Sequence, residues 1–365
     1  MKHFGSTSGL TALAEDQATQ ANGMVAYTTS TYNTGWMPGA IKGAFLADTD
    51  DADLVGSVYL DDDFTSYADQ AAAEAAGYEF SGCTFDAAND QVDFPGTGTF
   101  TFSGADPSPN GEPIIVKIVV SNRTAGNLSF QAAYSQVFAF GETGALDANG
   151  TYYFSCTSAH LRVLALNGFD GSVDSVTIYG ADTDRSMNNK GLIVNGTVTR
   201  SPVATGAELV AYSGFSASNY LESTNASYVD TLYALGWEQT NGVWEFKHGV
   251  VSTAPIDGLT ITGNTLKIAG TKPKALIRLS ATIPTSDQIA KIYNDEKVLF
   301  QENAACTLYG ASNTVTALAH DLGTDLLHVG TSAGRSVFRG LERIQNTSTS
   351  VATAISAVNG LIAEK

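Results

Sequence analysis

KPKALIRLSATIPTSDQIAKIYNDEKVLFQEN, residues 272–303, decides how the chain is read. Its first part reads as a strand over 275–281, in which Leu276, Arg278 and Ser280 alternate with Ile277 and Leu279. Pro284 stops the strand, because proline has no N–H to donate to a ladder. Thr285 then stands at a helix N-cap, and Gln288 follows at the spacing of a capping box. Asp287 in the first turn suits the positive end of the helix dipole. Ile289, Ile292, Tyr293, Leu299 and Phe300 recur near the helical period and define an apolar face. Lys291, Asp295, Glu296 and Lys297 are assigned to the opposite, wet face. A helix with one apolar side needs a surface to lie on. Most of the remaining chain reads as strand, so that surface is a sheet.

The composition agrees with a β-rich reading. Of 365 residues, 43% are hydrophobic, which allows real cores, and only 15% are charged. An average soluble protein carries roughly 25% charged residues. Gly, Ser, Thr, Asn and Ala fill the gap, a mixture that suits short strands joined by tight turns. The length allows two or three domains. The net charge is −18, and the 19 Lys and Arg form no cluster. Nucleic acid is therefore rejected as a partner, since its phosphates need a basic surface. Anionic membranes are set aside on the same ground. Residues 1–10 lack the apolar run of a signal peptide, and no stretch is long and apolar enough for membrane insertion.

Taken in order, residues 1–57 read as a junction or attachment segment. A short helix is expected within 9–23, through Leu10, Leu13, Ala14 and Gln17, and a strand over 23–31. Trp36, between Gly35 and Pro38, is either core or a stacking platform. Residues 58–182 read as one β-sandwich, with short strands and turn signals alternating every 8–12 residues or so. One helix is expected there, over 66–76, closed by Gly77. Residues 183–303 hold further strands and a hairpin, turned at 240–242, that carries Trp237 and Trp244. Residues 304–342 read as a three-stranded meander, TLYG, TVTALAHD and DLLHVGTSAGRSVFRGL. The tail, 343–365, spaces Val351, Ile355, Val358 and Ile362 at helical intervals, as a subunit seam would.

Several phrases resemble those of tailed-phage fibre and spike proteins. ALIRLSATIPT with SDQIAKIYNDEKVLF is similar to the end of their concanavalin A-like, laminin-G-like modules. DRSMNNKGLIVNGTVTRSPVATGAELVAYSGFSASNYLE (184–222), TVTALAHDLGTDLLHVGTSAGRSVFRGL (314–341) and STYNTGWMPGAIKGAFLADTD (30–50) resemble the same proteins. Together these phrases cover under half of the chain. GTYYFSCTSAHLRVLALNGFDGSVDSVTIYG (150–180) resembles the end of galactose-binding-like jelly rolls, with Gly150, Thr151, Tyr152, Phe169, Gly171, Asp174 and Val176 at the typical positions. The 307–341 meander resembles one β-propeller blade, which alone cannot bury two faces. The fold implied is a mainly β, multidomain chain: a jelly-roll sandwich, a reduced concanavalin-like sandwich with one covering helix, and a blade-like meander. The role implied is that of a virion appendage, made in the host cytoplasm. It would be homotrimeric, joined to other virion or tail proteins, and would contact a host-surface glycan. A structural virion part without receptor binding is the alternative, and a polysaccharide-degrading tailspike a lesser one.

The sequence offers little chemistry. It has no GxSxG, P-loop or dinucleotide fingerprint, and no paired carboxylates of the kind glycosidases carry on one strand. A non-enzyme is expected, without catalytic residues. If a sugar site exists, its candidates are Tyr152, Tyr153 and Phe169. Asp61, Asp62 and Asp63 are three adjacent carboxylates, which either form a solvated turn that caps the 66–76 helix or bind calcium through hard oxygens. The jelly-roll resemblance implies a structural calcium, with Asp174 as a distant fourth ligand. Cys83 and Cys156 either pair or, with Cys306, stay as free buried thiols. His320 and His328 lack a third ligand and are read as strand-surface residues.

Overall fold

The computed structural model describes residues 2–3, 10–13, 24–28, 33–38, 40–102, 111–137, 139–140, 146–158, 160–186, 188, 190–310, 315–321, 323–351 and 361–364. The protein is mainly β, built from several antiparallel sheets in more than one domain.

The first sandwich is organised by two long strands, Ile114–Ala132 and Leu161–Asp182. They pair antiparallel along most of their length, with bulges near 119–127. Gly150–Cys156 extends the sheet beyond the first of them. Gln91–Gly96, Thr99–Thr101 and Val58–Asp62 pair with the second. Inward residues such as Val116, Ile118, Phe130, Phe154, Val163, Val176 and Ile178 fill one core with Phe64, Tyr78 and Phe100. Burial of this apolar surface is the main force holding the module. The helix α1 is shorter than expected, Gln70–Ala75. Its N-cap is Asp69, whose carboxylate accepts from Ala72 N, so Asp61–Asp63 do not cap it. Gly77, at φ 106°, ends it in a conformation that side chains disfavour. Cys83, Cys156 and Cys306 form no disulfide, with Cys83 and Cys306 buried and Cys156 half-buried.

The Leu161–Asp182 strand does not stop at the module boundary. Its last residues, Ala181 and Asp182, pair with Ile193 and Leu192 of Leu192–Asn195. The sheet continues through Tyr220–Thr224, Thr265–Ile268 and Leu259–Thr262. This extension forms one layer of the second sandwich. The other layer is a seven-stranded sheet. Its order runs Val243–Val250, Tyr233–Thr240, Lys274–Ser280, Val210–Ser213, Thr197–Pro202 and Leu54–Val55, with Ile41–Phe45 also on Lys274–Ser280. Residues 41–55, expected in the junction segment, thus supply two strands to the second sandwich. Asn241 and Gly242 turn the hairpin at φ 51° and 81°, as a two-residue loop requires.

Lys274–Ser280 is buried at every position, because this sheet is covered on both faces. Val198, Tyr212, Ile277 and Leu279 face the sandwich core. Leu209, Leu235, Trp237 and Leu276 face a second core roofed by helix α2, Ser286–Glu296, which continues as a short 3-10 turn. The capping box forms: Thr285 Oγ1 accepts from Gln288 N, and the Gln288 side chain accepts from Thr285 N. Ile292 and Leu299 point inward as expected. Two residues do not follow the expectation. Tyr293 is exposed at the rim, and Glu296, assigned to the wet face, has no exposure at all. Arg278 is the reason. Its guanidinium meets the Glu296 carboxylate through both terminal nitrogens, and donates to Trp36 O at 2.6 Å. Glu296 also accepts from Trp36 N (3.2 Å) and Trp237 Nε1 (2.8 Å). A carboxylate can be dry when its lone pairs are filled this way. Trp36 and Trp237 are core, and half-buried Trp244 donates to Val203 O at 2.9 Å.

A second buried acid stands at the junction of the two sandwiches. Asp182 is closed off from solvent, and its Oδ2 has no hydrogen-bond partner. Burial, with the charge of Asp48 nearby, pushes its carboxyl up to about 7; a hydrogen bond to the backbone at Thr183 and the Arg200 charge oppose this. Arg200 is already held by Asp48 (3.1 Å), Asp50 (2.8 Å) and Ala52 O.

The C-terminal meander has five strands instead of three, in the order Glu342–Thr347, Gly334–Arg339, Leu326–Thr331, Val315–Asp321, Leu361–Glu364. The TLYG phrase is not a strand: Leu308 packs beneath the sheet with Val329 and Phe338. Two of the four residues of the helical tail spacing, Ile355 and Val358, fall at 352–360, outside the described residues. Its last member, Ile362, lies in a strand opposite Ala319. Arg343 ties the meander to the second sandwich through Glu208 (2.9 Å), and its Nε donates to Thr307 O (2.9 Å) in the segment leading into the meander. At the N-terminus, Lys2–His3, Leu10–Leu13, Met24–Thr28 and Asn33–Pro38 form a four-stranded sheet. The expected 9–23 helix therefore begins as a strand, since Leu10–Leu13 finds a ladder partner in Met24–Thr28; residues 14–23 lie outside the described residues.

Candidate functional site at the seam between the sandwiches

Adjacent residues of a strand point to opposite faces, and this separates the three aromatic candidates. Tyr152 turns toward the first core and its hydroxyl donates to Ala148 O at 2.8 Å. Phe169 is fully buried, edge-on to Phe94 at 5.7 Å, and is a core residue with no surface to offer a sugar. Tyr153 alone faces outward, toward the second sandwich.

The acidic candidates are divided in the same way. Asp62 points inward and accepts from Phe64 N (2.7 Å), Tyr67 Oη (2.6 Å) and Tyr78 Oη (2.5 Å). Asp61 points outward and accepts from Thr177 Oγ1 at 3.1 Å. Asp63 accepts from the Thr65 hydroxyl and backbone, and those hydrogen bonds hold its carboxyl below the usual range. Asp174 accepts from Ser121 Oγ at 2.5 Å. The four acids do not converge. Among the described residues, no group of three or more His, Cys, Asp or Glu is placed to hold a metal ion. His320 pairs with Asp325 at 2.9 Å, while His328 sits on the next strand opposite Ala319.

Around Tyr153 the structure assembles a constellation that the sequence did not reveal. The outer face of the first sheet carries a row of Tyr153, Lys117, Thr177 and Asp61 on four neighbouring strands. Tyr179 follows two residues after Thr177 on the same face. From the second sandwich come Asn195, Tyr220, Glu222 and Thr224, on the face opposite Leu221 and the core. Thr224 shares a hydrogen bond with the Tyr153 phenol, and its hydroxyl lies 2.8 Å from that of Thr265. Asn195 Nδ2 donates to Glu222 at 3.3 Å. Lys267 Nζ stands 3.5 Å from the centre of the Tyr220 ring.

Glu222 is the common neighbour of three tyrosines. Burial raises the phenols of Tyr153, Tyr179 and Tyr220, and the Glu222 charge raises each of them further. All three therefore stay protonated at neutral pH and can donate hydrogen bonds. The seam offers phenol donors, a carboxylate and an amide as acceptors, two lysines, and half-buried ring surface. Such a mixture suits a ligand rich in hydroxyls. The local signal for Glu222 and Tyr220 is their i, i+2 spacing on one strand face. Nothing local links them to Tyr153, which lies in a different module.

Among the described residues, no helix is long and apolar enough to cross a membrane. Comparisons with protein-family models, curated proteins and solved structures return no match for the chain.

Proposed function

We propose that this chain is an external structural protein of a tailed-phage virion, a tail fibre or spike that contacts a glycan on the host surface. The observation that carries this reading is the polar seam of Tyr153, Asn195, Tyr220, Glu222 and Thr224, in which the Glu222 charge reaches Tyr153, Tyr179 and Tyr220, where two sandwiches share one continuous sheet. A shared sheet makes a stiff unit, which an appendage needs, and the seam supplies a polar, ring-lined face. The fibre-like phrases at 30–50, 184–222, 272–303 and 314–341 support the same reading. It carries with it assembly into a homotrimer and attachment to other virion proteins.

The test is a polysaccharide array probed with the full-length chain and with Glu222→Gln. Retention of a host glycan that falls at least about tenfold in the variant is expected, the loss of one or two charge-assisted hydrogen bonds. No retention by the full-length chain would remove the receptor role. A second reading, a structural virion part without receptor contact, is favoured by the burial of Phe169 and the inward turn of Tyr152. Antibody labelling of virions in the absence of glycan retention selects it.

A further inference from the structure

Ser135–Val137 folds back on the end of Ile114–Ala132, and Ala133 and Tyr134 make the two-residue turn between them. Both turn residues stand in the left-handed region, at φ 49° and 64°. Such a turn is the usual place for Asn, Asp or Gly, which take that conformation at little cost. A tyrosine there is strained, and this one recovers little by burial, since 65% of it is exposed. The turn lies at the far end of the long strand from the Tyr153 seam. Tyr153 is opposite Lys117, near the start of that strand, and Ala132 is its last residue.

Two neighbours hold the Tyr134 ring. The His160 ring lies 4.4 Å from it, centre to centre, tilted by 36°, and the Arg162 guanidinium carbon stands 4.8 Å from its centre. The backbone fixes the group, because Ala133 N donates to His160 O at 2.9 Å and Arg162 faces Gln131 across the ladder. Arg162 is half-buried and donates through Nε to Gln131 Oε1 at 2.5 Å. That bond aims the planar head, and the two terminal nitrogens meet no partner among the described residues. Arg185, Arg200, Arg278 and Arg343 each pair with a carboxylate, whereas Arg162 pairs with none among the described residues. In a chain of net charge −18, an arginine left without an acid is a point to which an anion is drawn.

We propose that the Tyr134–His160–Arg162 cluster binds an acidic sugar residue, with the sugar carboxylate on the terminal nitrogens of Arg162 and the sugar ring against Tyr134. A guanidinium presents paired N–H groups that match the two oxygens of a carboxylate. A tyrosine offers an apolar face to sugar C–H groups and a phenol to a hydroxyl. The arginine selects the acid and the ring selects the sugar, so a neutral sugar or a small carboxylate satisfies only half of the site. The cluster is opposite in sign to the Glu222 seam, which holds a carboxylate among its phenols and repels an acid. This second site does not rest on the reading of the seam.

The test is retention of the full-length chain on immobilised oligogalacturonate, oligoglucuronate and oligosialate, each offered as the free acid and as its methyl ester. Retention on at least one free acid is expected, and at least about tenfold weaker retention on its ester, which keeps the sugar and loses the charge. No retention on any acid, or equal retention on acid and ester, would overturn the proposal. Arg162→Gln, with an unchanged far-ultraviolet spectrum, should lose at least about tenfold as well. Full retention by that variant would equally overturn it. Tyr134→Gly removes the ring and relieves the turn, so retention should fall while the urea midpoint stays level or rises. Retention unchanged in Tyr134→Gly would make the tyrosine a turn residue only and end the proposal.

Discussion

Two places in this molecule bury a carboxylate at a joint, and they do so in opposite ways. Under helix α2, Glu296 is met by a guanidinium, an indole N–H and a backbone N–H, and the joint closes on filled lone pairs. At the junction of the sandwiches, Asp182 is also buried, but one oxygen has no partner and Arg200 is committed to Asp48 and Asp50. The difference is one of partners more than of depth. A satisfied buried charge stays charged and locks its joint. An unsatisfied one holds its proton until the pH rises, so the joint responds to solution conditions.

The largest expected effect comes from breaking the satisfied site. Glu296→Ala leaves Arg278 buried and unpaired and should cost about 3–5 kcal/mol in urea unfolding followed by tryptophan fluorescence. The double change Arg278→Met, Glu296→Leu should recover most of that loss. If the single variant costs less than about 1 kcal/mol, the clamp is ornamental and the contrast fails. Next is Asp182→Asn. The folded carboxyl titrates near 7 and the unfolded one near 3.8. The folded state therefore holds the extra proton between these values. Stability from this group is full below about pH 4 and is lost as pH rises through 7. The asparagine variant should lack that slope, matching the wild type near pH 4 and exceeding it by about 2–4 kcal/mol at pH 8. Urea titrations at several pH values check this, and parallel curves for the two proteins would show that Asp182 is not the titrating group. The smallest effect sharpens the comparison by altering the clamp's helix without touching its charges. Thr285→Ala removes the cap on α2 and should cost about 1 kcal/mol.

Helix α2 and its strand were legible because their signals are local: a proline stop, a capping box, alternation. Glu296 was misplaced by weighing charge over spacing. It follows Ile292 by four residues, which puts it on the buried side, and Arg278 sits on the strand face that also presents Leu276. Reading the two elements as a pair would have joined them. Phe169 shows a different limit. Bulges in the long pairing set which face it takes, and no residue type marks a bulge in advance. The meander grew from three strands to five because Glu342–Thr347 is polar and Leu361–Glu364 is reached from far along the chain; both are held by ladder partners more than by propensity. The Glu222 seam depends on contacts between separate modules, which no window of sequence contains.

The strand from Leu161 to Asp182 has a consequence for how this protein can change. It serves one core with its early residues and hands the next module its first ladder with its last. Because side chains alternate, inserting one residue midway would turn everything beyond it inside out, whereas inserting two would restore the facing. The modules are therefore geared together, and lineages should gain or lose residues here in even steps or not at all.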